Sequence, residues 1–317
     1  MNNVLNFLGN SLAFGATFMY GSTGEILMEK VGHLNLGIPG IMCMGGAGGC
    51  LMLNLIGKSS MAPALIVILG IVAAFAMAML MGLIYSFLTV TMRANQNVTG
   101  LAMTTFGTGL MAVLMKNLDI GTYLVVPKMF YRWPFAQRQD ALQTFGVLFF
   151  LALIIAVVAS VVLYKSKVGL KLRAVGENPA TADAVGINVT RYKYWTTCIG
   201  SGIAGLGGFY YIIDYMASQE AYLSVEAFGW LSIALVIFAL WRPHLTIIGS
   251  LLFGALFCCS SFIATIDGIN VTMAMKPIMK MLPYFVTILV LVFTSIRNKK
   301  ENQPPASLGL NYFREER

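Results

Sequence analysis

The stretch ALIVILGIVAAFAMAMLMGLIYSFLT, Ala64–Thr89, carries no charge, and its only polar side chains are Tyr85, Ser86 and Thr89. About 20 apolar residues in a helix cross a bilayer core of roughly 30 Å, so this run is long enough to span and to tilt. Phe145–Tyr164 and Phe285–Ile296 are apolar and uncharged too. The 317 residues are 58% hydrophobic and only 11% charged, where a soluble domain carries about 25%. Lipid offers a backbone no hydrogen-bond partners, so spanning segments must be helices or closed barrels. The composition therefore predicts an all-α, polytopic integral membrane protein.

Candidate spans are 4–20, 35–57, 61–91, 98–116, 145–164, 194–213, 227–241, 244–264 and 281–297. The second is crowded with Gly and holds Pro39, which points to a broken or re-entrant segment. The third is long enough for a tilted helix or a hairpin, so the count stands at eight to ten. The N-terminus MNNVLNFLGNSLAFG lacks a basic start and a small-residue cleavage site, and is read as a first span that stays. Residues 1–297 form the transmembrane domain on this reading, and 298–317 a cytoplasmic tail.

The formal net charge of +8 resides mostly in short loops and the tail. That is the positive-inside pattern, and it argues for lipid rather than nucleic acid as the partner. The connection Lys165–Lys193 and the tail from Arg297 are basic, whereas Asp214, Glu220 and Glu226 follow the next span without a basic neighbour. The C-terminus is accordingly placed in the cytoplasm; nine spans would put the N-terminus outside. Cys43, Cys50, Cys198, Cys258 and Cys259 lie in apolar segments with no CxxC pair, and read as small hydrophobes.

Within the basic connection, RAVGENPATADAVGINVTRYK (173–193) is the longest polar island. Asn178 suits a helix N-cap, Pro179 the first helical position, and Gly186 a left-handed stop. The local code predicts a helix of about seven residues, with Ala180 and Ala184 as a small face. So short a helix is marginal alone. Either it docks a soluble partner or the segment is an ordinary loop with one helical turn.

Other residues admit two readings each. Glu25, Glu29 and Lys30 follow the first span and pair at a cytoplasmic interface, or act at membrane depth. Asn35, Gly37 and Gly40 open the second segment, where glycine serves close packing or leaves backbone facing a pore. Thr104 and Thr108, one turn apart, bond their own backbone or line a polar path. His33 and His244 look like loop or interface residues, and no metal-ligand cluster or cofactor motif occurs. With no GxxxxGK[ST] phosphate loop and no nucleophile–His–acid set, the chain is read as not an enzyme.

The polar island resembles the cytoplasmic coupling segment of ABC-importer permeases serving branched-chain amino acids, ribose-type sugars and nucleosides. Four further stretches are similar: GEILMEKVGHLNLGIPGIMCMGG from Gly24, NQNVTGLAMTTFGTGL from Asn95, EAFGWLSIALVIFALWRPHLTIIGSLLFGAL from Glu226, and PYFVTILVLVFTS with the tail QPPASLGLNYFREER. The tail resembles the nucleoside and simple-sugar subgroup. Thr104 stands where the family usually has Asn, and Ala239 where Gly precedes the Trp motif; the first departure bears on cargo identity.

The resemblance implies ATPase coupling through Glu177, Asn178, Pro179, Ala180, Asp183, Ala184 and Gly186. It implies a bacterial inner-membrane permease with a second, different permease, two ABC ATPase domains that hydrolyse ATP, and an extracytoplasmic binding (lipo)protein. Asn35, Gly37, Gly40, Thr104 and Thr108 are candidates for the translocation path. Nucleosides are the expected cargo, with simple sugars or a flavin-like ligand as alternatives. An ion-coupled secondary transporter is the reading from a different class, and a non-transporting scaffold the third.

Overall fold

The computed structural model describes residues 2–57, 59, 61–123, 145–263, 275–297 and 303–313. Among them the regular structure is helical: α1 (Asn2–Lys30), α2 (Ile38–Ile56), α3 (Pro63–Ser86), α4 (Gln96–Met115), α5 (Ile120–Tyr123), α6 (Val147–Lys165), α7 (Lys167–Glu177), α8 (Pro179–Ala184), α9 (Val189–Tyr210), α10 (Tyr222–Phe238), α11 (Pro243–Ile263), α12 (Met275–Lys280) and α13 (Leu282–Arg297). Six apolar helical stretches, carried by α2, α3, α4, α6, α9 and α10, are long enough to cross a membrane. The apolar parts of α11 and α13 are shorter.

α1 is the axis of the bundle. Every residue from Ala13 to Glu29 is buried, and α9, α11, α10 and α6 all pack on it. It runs ten residues past the expected first span, so Glu25 and Glu29 belong to the helix rather than to a wet interface. α2 is enclosed from Ile38 to Cys50 and is a continuous helix, which corrects the broken or re-entrant expectation. Pro39 falls in its first turn, where the missing N–H costs nothing. Its glycines serve close approach: a Cβ on Gly45 would lie 2.5 Å from the Gly205 carbonyl carbon of α9. Lipid tails are as apolar as leucine, so helices in a bilayer associate through such small-residue contacts.

The long third segment is a single helix and not a hairpin. It closes in a π turn, Phe87–Thr91, with Met92 N donating to Phe87 O at 3.0 Å. α9 also ends in a π turn, Tyr211–Met216. Asp214 is therefore half-buried in a helical extension, and Glu226 lies within α10, where the acidic residues were expected in a loop.

Ile68, Val72, Leu80 and Leu83 of α3, Val157, Val158 and Val161 of α6, and Ile288, Val292 and Phe293 of α13 are exposed. These faces contain no charge, as a hydrocarbon-facing surface requires. Arg93, Lys165, Lys167, Lys171, Arg173, Arg191 and Arg242 gather at the opposite pole from Asp119, Asp214 and Glu220. The greater part of the polar connection 117–143, and Lys276 and Lys280 as side chains, lie outside the described residues.

Candidate functional site: the capped helix at the basic end

Two helices emerge from the basic end where one was expected. Ser166 Oγ accepts from Gly169 N at 3.0 Å and starts α7 directly after α6. α7 ends at Glu177, and Asn178, with φ −150°, turns the chain into α8. Asn178 Oδ1 accepts from Thr181 N at 3.0 Å, satisfying one amide of the new first turn. Pro179 follows at the first helical position. Gly186 ends the helix at φ +84°, with Gly186 N bonded to Asp183 O and Ile187 N to Ala182 O, both at 3.0 Å. Asn188 Oδ1 then caps α9 through Arg191 N at 2.9 Å.

α8 has six residues, one fewer than expected, and its inward face differs too. Ala182 is the buried alanine, while Ala180 is half-buried and Ala184 exposed. Val185, absent from the sequence-based set, is 71% exposed beside Gly186. Glu177, Asn178 and Thr181 are exposed around it. Asp183 accepts from Tyr312 Oη at 2.8 Å. A cavity of about 670 Å³ opens beside the helix, lined by Thr89, Arg93, Asp183, Arg191 and Tyr312 among others.

The second group of candidates sits at the start of α2, at the same end. Asn35 Oδ1 accepts from Gly37 N at 2.9 Å, and Asn35 N donates to Glu25 Oε1 at 3.2 Å. Thr104 Oγ1 donates to Leu36 O at 2.8 Å, and Thr108 Oγ1 to Thr104 O at 3.0 Å. Both hydroxyls are thus engaged by backbone, as threonines in membrane helices often are. Gly40 and Gly107 bring α2 and α4 together: a Cβ on Gly40 would stand 2.7 Å from Thr104 Cα, and one on Gly107 2.6 Å from Gly40 Cα. This crossing is a close packing contact that also holds the polar groups.

Sequence alone did not pair Glu29 with Trp241. Leu240 and Trp241 both adopt left-handed backbone conformations, φ 51° and 55°, which non-glycine residues seldom do without a structural reason. The turn swings the indole inward, and Trp241 Nε1 donates to Glu29 Oε2. His33 lies in the connection between α1 and α2, one of its two expected settings, but is enclosed there. It is buried, its Nδ1 lies 2.7 Å from Thr197 Oγ1, and burial together with the Lys193 ammonium holds its pKa well below the usual value. His244 does sit at the rim, its Nδ1 3.3 Å from Ser160 Oγ.

An all-helical bundle with lipid-facing flanks, one basic pole and a capped helix projecting from that pole defines a multi-pass membrane protein. The chain belongs to the family described as branched-chain amino acid transport system / permease component, whose pattern matches residues 7–293. It is similar to TsgC13 of Haloferax volcanii, provisionally named a glucose ABC transporter permease protein, with 30% identity covering 99% of each chain. The nucleoside ABC transporter permease protein NupC of Lactococcus lactis is 28% identical over 98% of this chain and 99% of its own. The guanosine ABC transporter permease protein NupQ of Bacillus subtilis is 29% identical over 89% of each. The chain is therefore the transmembrane permease component of an ABC transporter, a subunit that is not itself a catalytic enzyme.

Proposed function

We infer that this permease imports nucleosides, in a complex with a second and different permease, two ATPase subunits and an extracytoplasmic binding lipoprotein. The observation carrying the coupling assignment is α8. It is capped at both ends and presents Ala184, Val185 and Gly186 outward from the basic pole. Glu177, Asn178, Pro179, Ala180 and Asp183 complete the surface on which an ATPase would bear. By the positive-inside bias this pole is cytoplasmic, and the tail with it, in the inner membrane of a bacterium. Residues 1–297 are the permease proper, 165–193 its coupling segment and 298–317 its tail.

Nucleotide binding moves α8, and the spans exchange access from one side to the other. This happens only as far as nucleotide binds the two states with different affinity. The α2–α4 crossing, with Asn35, Gly37, Gly40, Thr104 and Thr108, forms part of the path wall at the same basic pole as α8. Nucleosides come first as cargo because two of the three relatives named above carry nucleoside or guanosine names, and the third, a glucose name, places simple sugars second. A flavin-like ring is the remaining candidate. The ATP is bound and hydrolysed on the partner, as the missing phosphate loop requires.

The test is ATP hydrolysis by the complex purified through a tag on this chain, reconstituted with its binding protein. Guanosine, glucose and riboflavin are the probes. Stimulation by guanosine alone supports the cargo assignment, and stimulation by glucose or riboflavin alone replaces it. Copurification of only one kind of permease would overturn the heterodimer.

A further inference from the structure

The described tail, 303–313, is bonded to four separate parts of the basic pole. Ser307 sits buried against the end of α7, its N and Oγ both donating to Gly176 O at 3.1 and 2.5 Å. Gly309 N reaches Gly32 O, in the connection between α1 and α2, at 3.3 Å. Gly309 and Gly32 have φ of +77° and +89°, backbone that L side chains rarely adopt. Asn311 Nδ2 donates to Arg93 O at 2.8 Å and to Ala94 O at 3.3 Å, in the turn between α3 and α4. The Arg93 guanidinium lies 4.7 Å over the Phe313 ring. Tyr312 Oη then returns to α8 at Asp183.

A terminal segment orders only if its bonds offset the conformational entropy lost. Here the bonds lead from α8 to the start of α2. Gln96 Nε2 donates to Leu310 O at 3.3 Å and lies 3.4 Å from Asn311 Oδ1, while Gln96 Oε1 accepts from Leu34 N at 2.9 Å. Leu34 precedes Asn35 and the α2–α4 crossing. The strap is folded by its own turns, Leu308 N donating to Pro305 O at 3.0 Å and Leu310 N to Ser307 O at 3.1 Å, so its contacts are held together as one unit. A contiguous set of bonds through it is a physical route for coupling two sites.

We propose that Ser307, Asn311 and Tyr312 are positioning residues that yoke α8 to the start of α2, so that ATPase motion reaches the path wall through the tail as well as through α9. This rests on the coupling role of α8.

The experiment is hydrogen–deuterium exchange on the whole complex, purified through this chain, with and without ATP and vanadate. In the unaltered complex, trapping changes exchange both at 178–186 and at 33–40. In the triple variant Ser307→Ala, Asn311→Ala, Tyr312→Phe, the change at 178–186 stays and the change at 33–40 shrinks by about tenfold, the scale of one lost hydrogen bond to a charged group. The single variant Tyr312→Phe shows the same direction and guards against misfolding of the triple. An undiminished change at 33–40 in both variants overturns the yoke. No change at 178–186 in the unaltered complex overturns the coupling role of α8 instead.

Discussion

Trp241 reaches Glu29 across 212 positions of sequence, through two consecutive residues in left-handed backbone. A carboxylate in the bundle interior needs a donor, since a buried polar atom without one costs about 1–3 kcal/mol. Trp241→Phe keeps the ring and removes the N–H. It is expected to lower the stability of the detergent-solubilised chain by that amount, read as a fall in thermal midpoint. Trp195→Phe, on a side chain 56% exposed, is expected to leave the midpoint in place. Equal midpoints for both variants would show that Glu29 does not depend on the indole. The Trp-Arg-Pro triplet is visible in the sequence, but its task is not, because the partner is distant and the backbone that aims it breaks the local rule. Thr104 and Thr108 are a parallel case. Their spacing is legible, whereas the carbonyls that occupy their hydroxyls follow from where α2 begins.

Among elements, the crossing of α2 and α4 gives the sharpest contrast. Gly107 and Gly109 are two residues apart on α4, yet a Cβ on Gly107 would meet the Gly40 backbone, while one on Gly109 meets nothing within 4 Å. Gly107→Val is expected to separate the helices and cost several kcal/mol, on the order of 3. Gly109→Ala is expected to change stability by less than about 1 kcal/mol, toward greater stability. Thermal unfolding followed by circular dichroism distinguishes them, and similar losses in the two would refute this crossing. The glycines of α2 itself, Gly40, Gly45, Gly46, Gly48 and Gly49, explain why that helix looked broken in the sequence. Glycine weakens a helix in isolation, but between packed helices it permits the approach that holds them together. The caps at Ser166, Asn178, Gly186 and Asn188 are local codes, and local codes survive into the structure. The π turns after α3 and α9 leave no such signature.

For the molecule as a whole, composition and charge were enough to read helices, membrane and a basic pole, because those are sums over many residues. The tail was legible as a similarity but not as a strap, since its bonds join residues as far apart in sequence as Gly309 and Gly32. The central claim is that α8 transmits ATPase motion to the spans. It predicts that changes confined to α8 uncouple transport without removing the chain from the membrane. Asp183→Lys replaces the acceptor of Tyr312 with a cation. Gly186→Val forces a β-branched residue into φ +84°, where left-handed backbone costs roughly 1–2 kcal/mol for a residue with a Cβ. The most direct measurement is guanosine uptake into proteoliposomes, with ATP hydrolysis followed in the same vesicles, for the unaltered complex and these two variants. The account predicts normal amounts of inserted chain and uptake reduced at least about tenfold, on the order of one lost charge-assisted hydrogen bond at the docking surface. Uptake and hydrolysis at the unaltered level in both variants would contradict it.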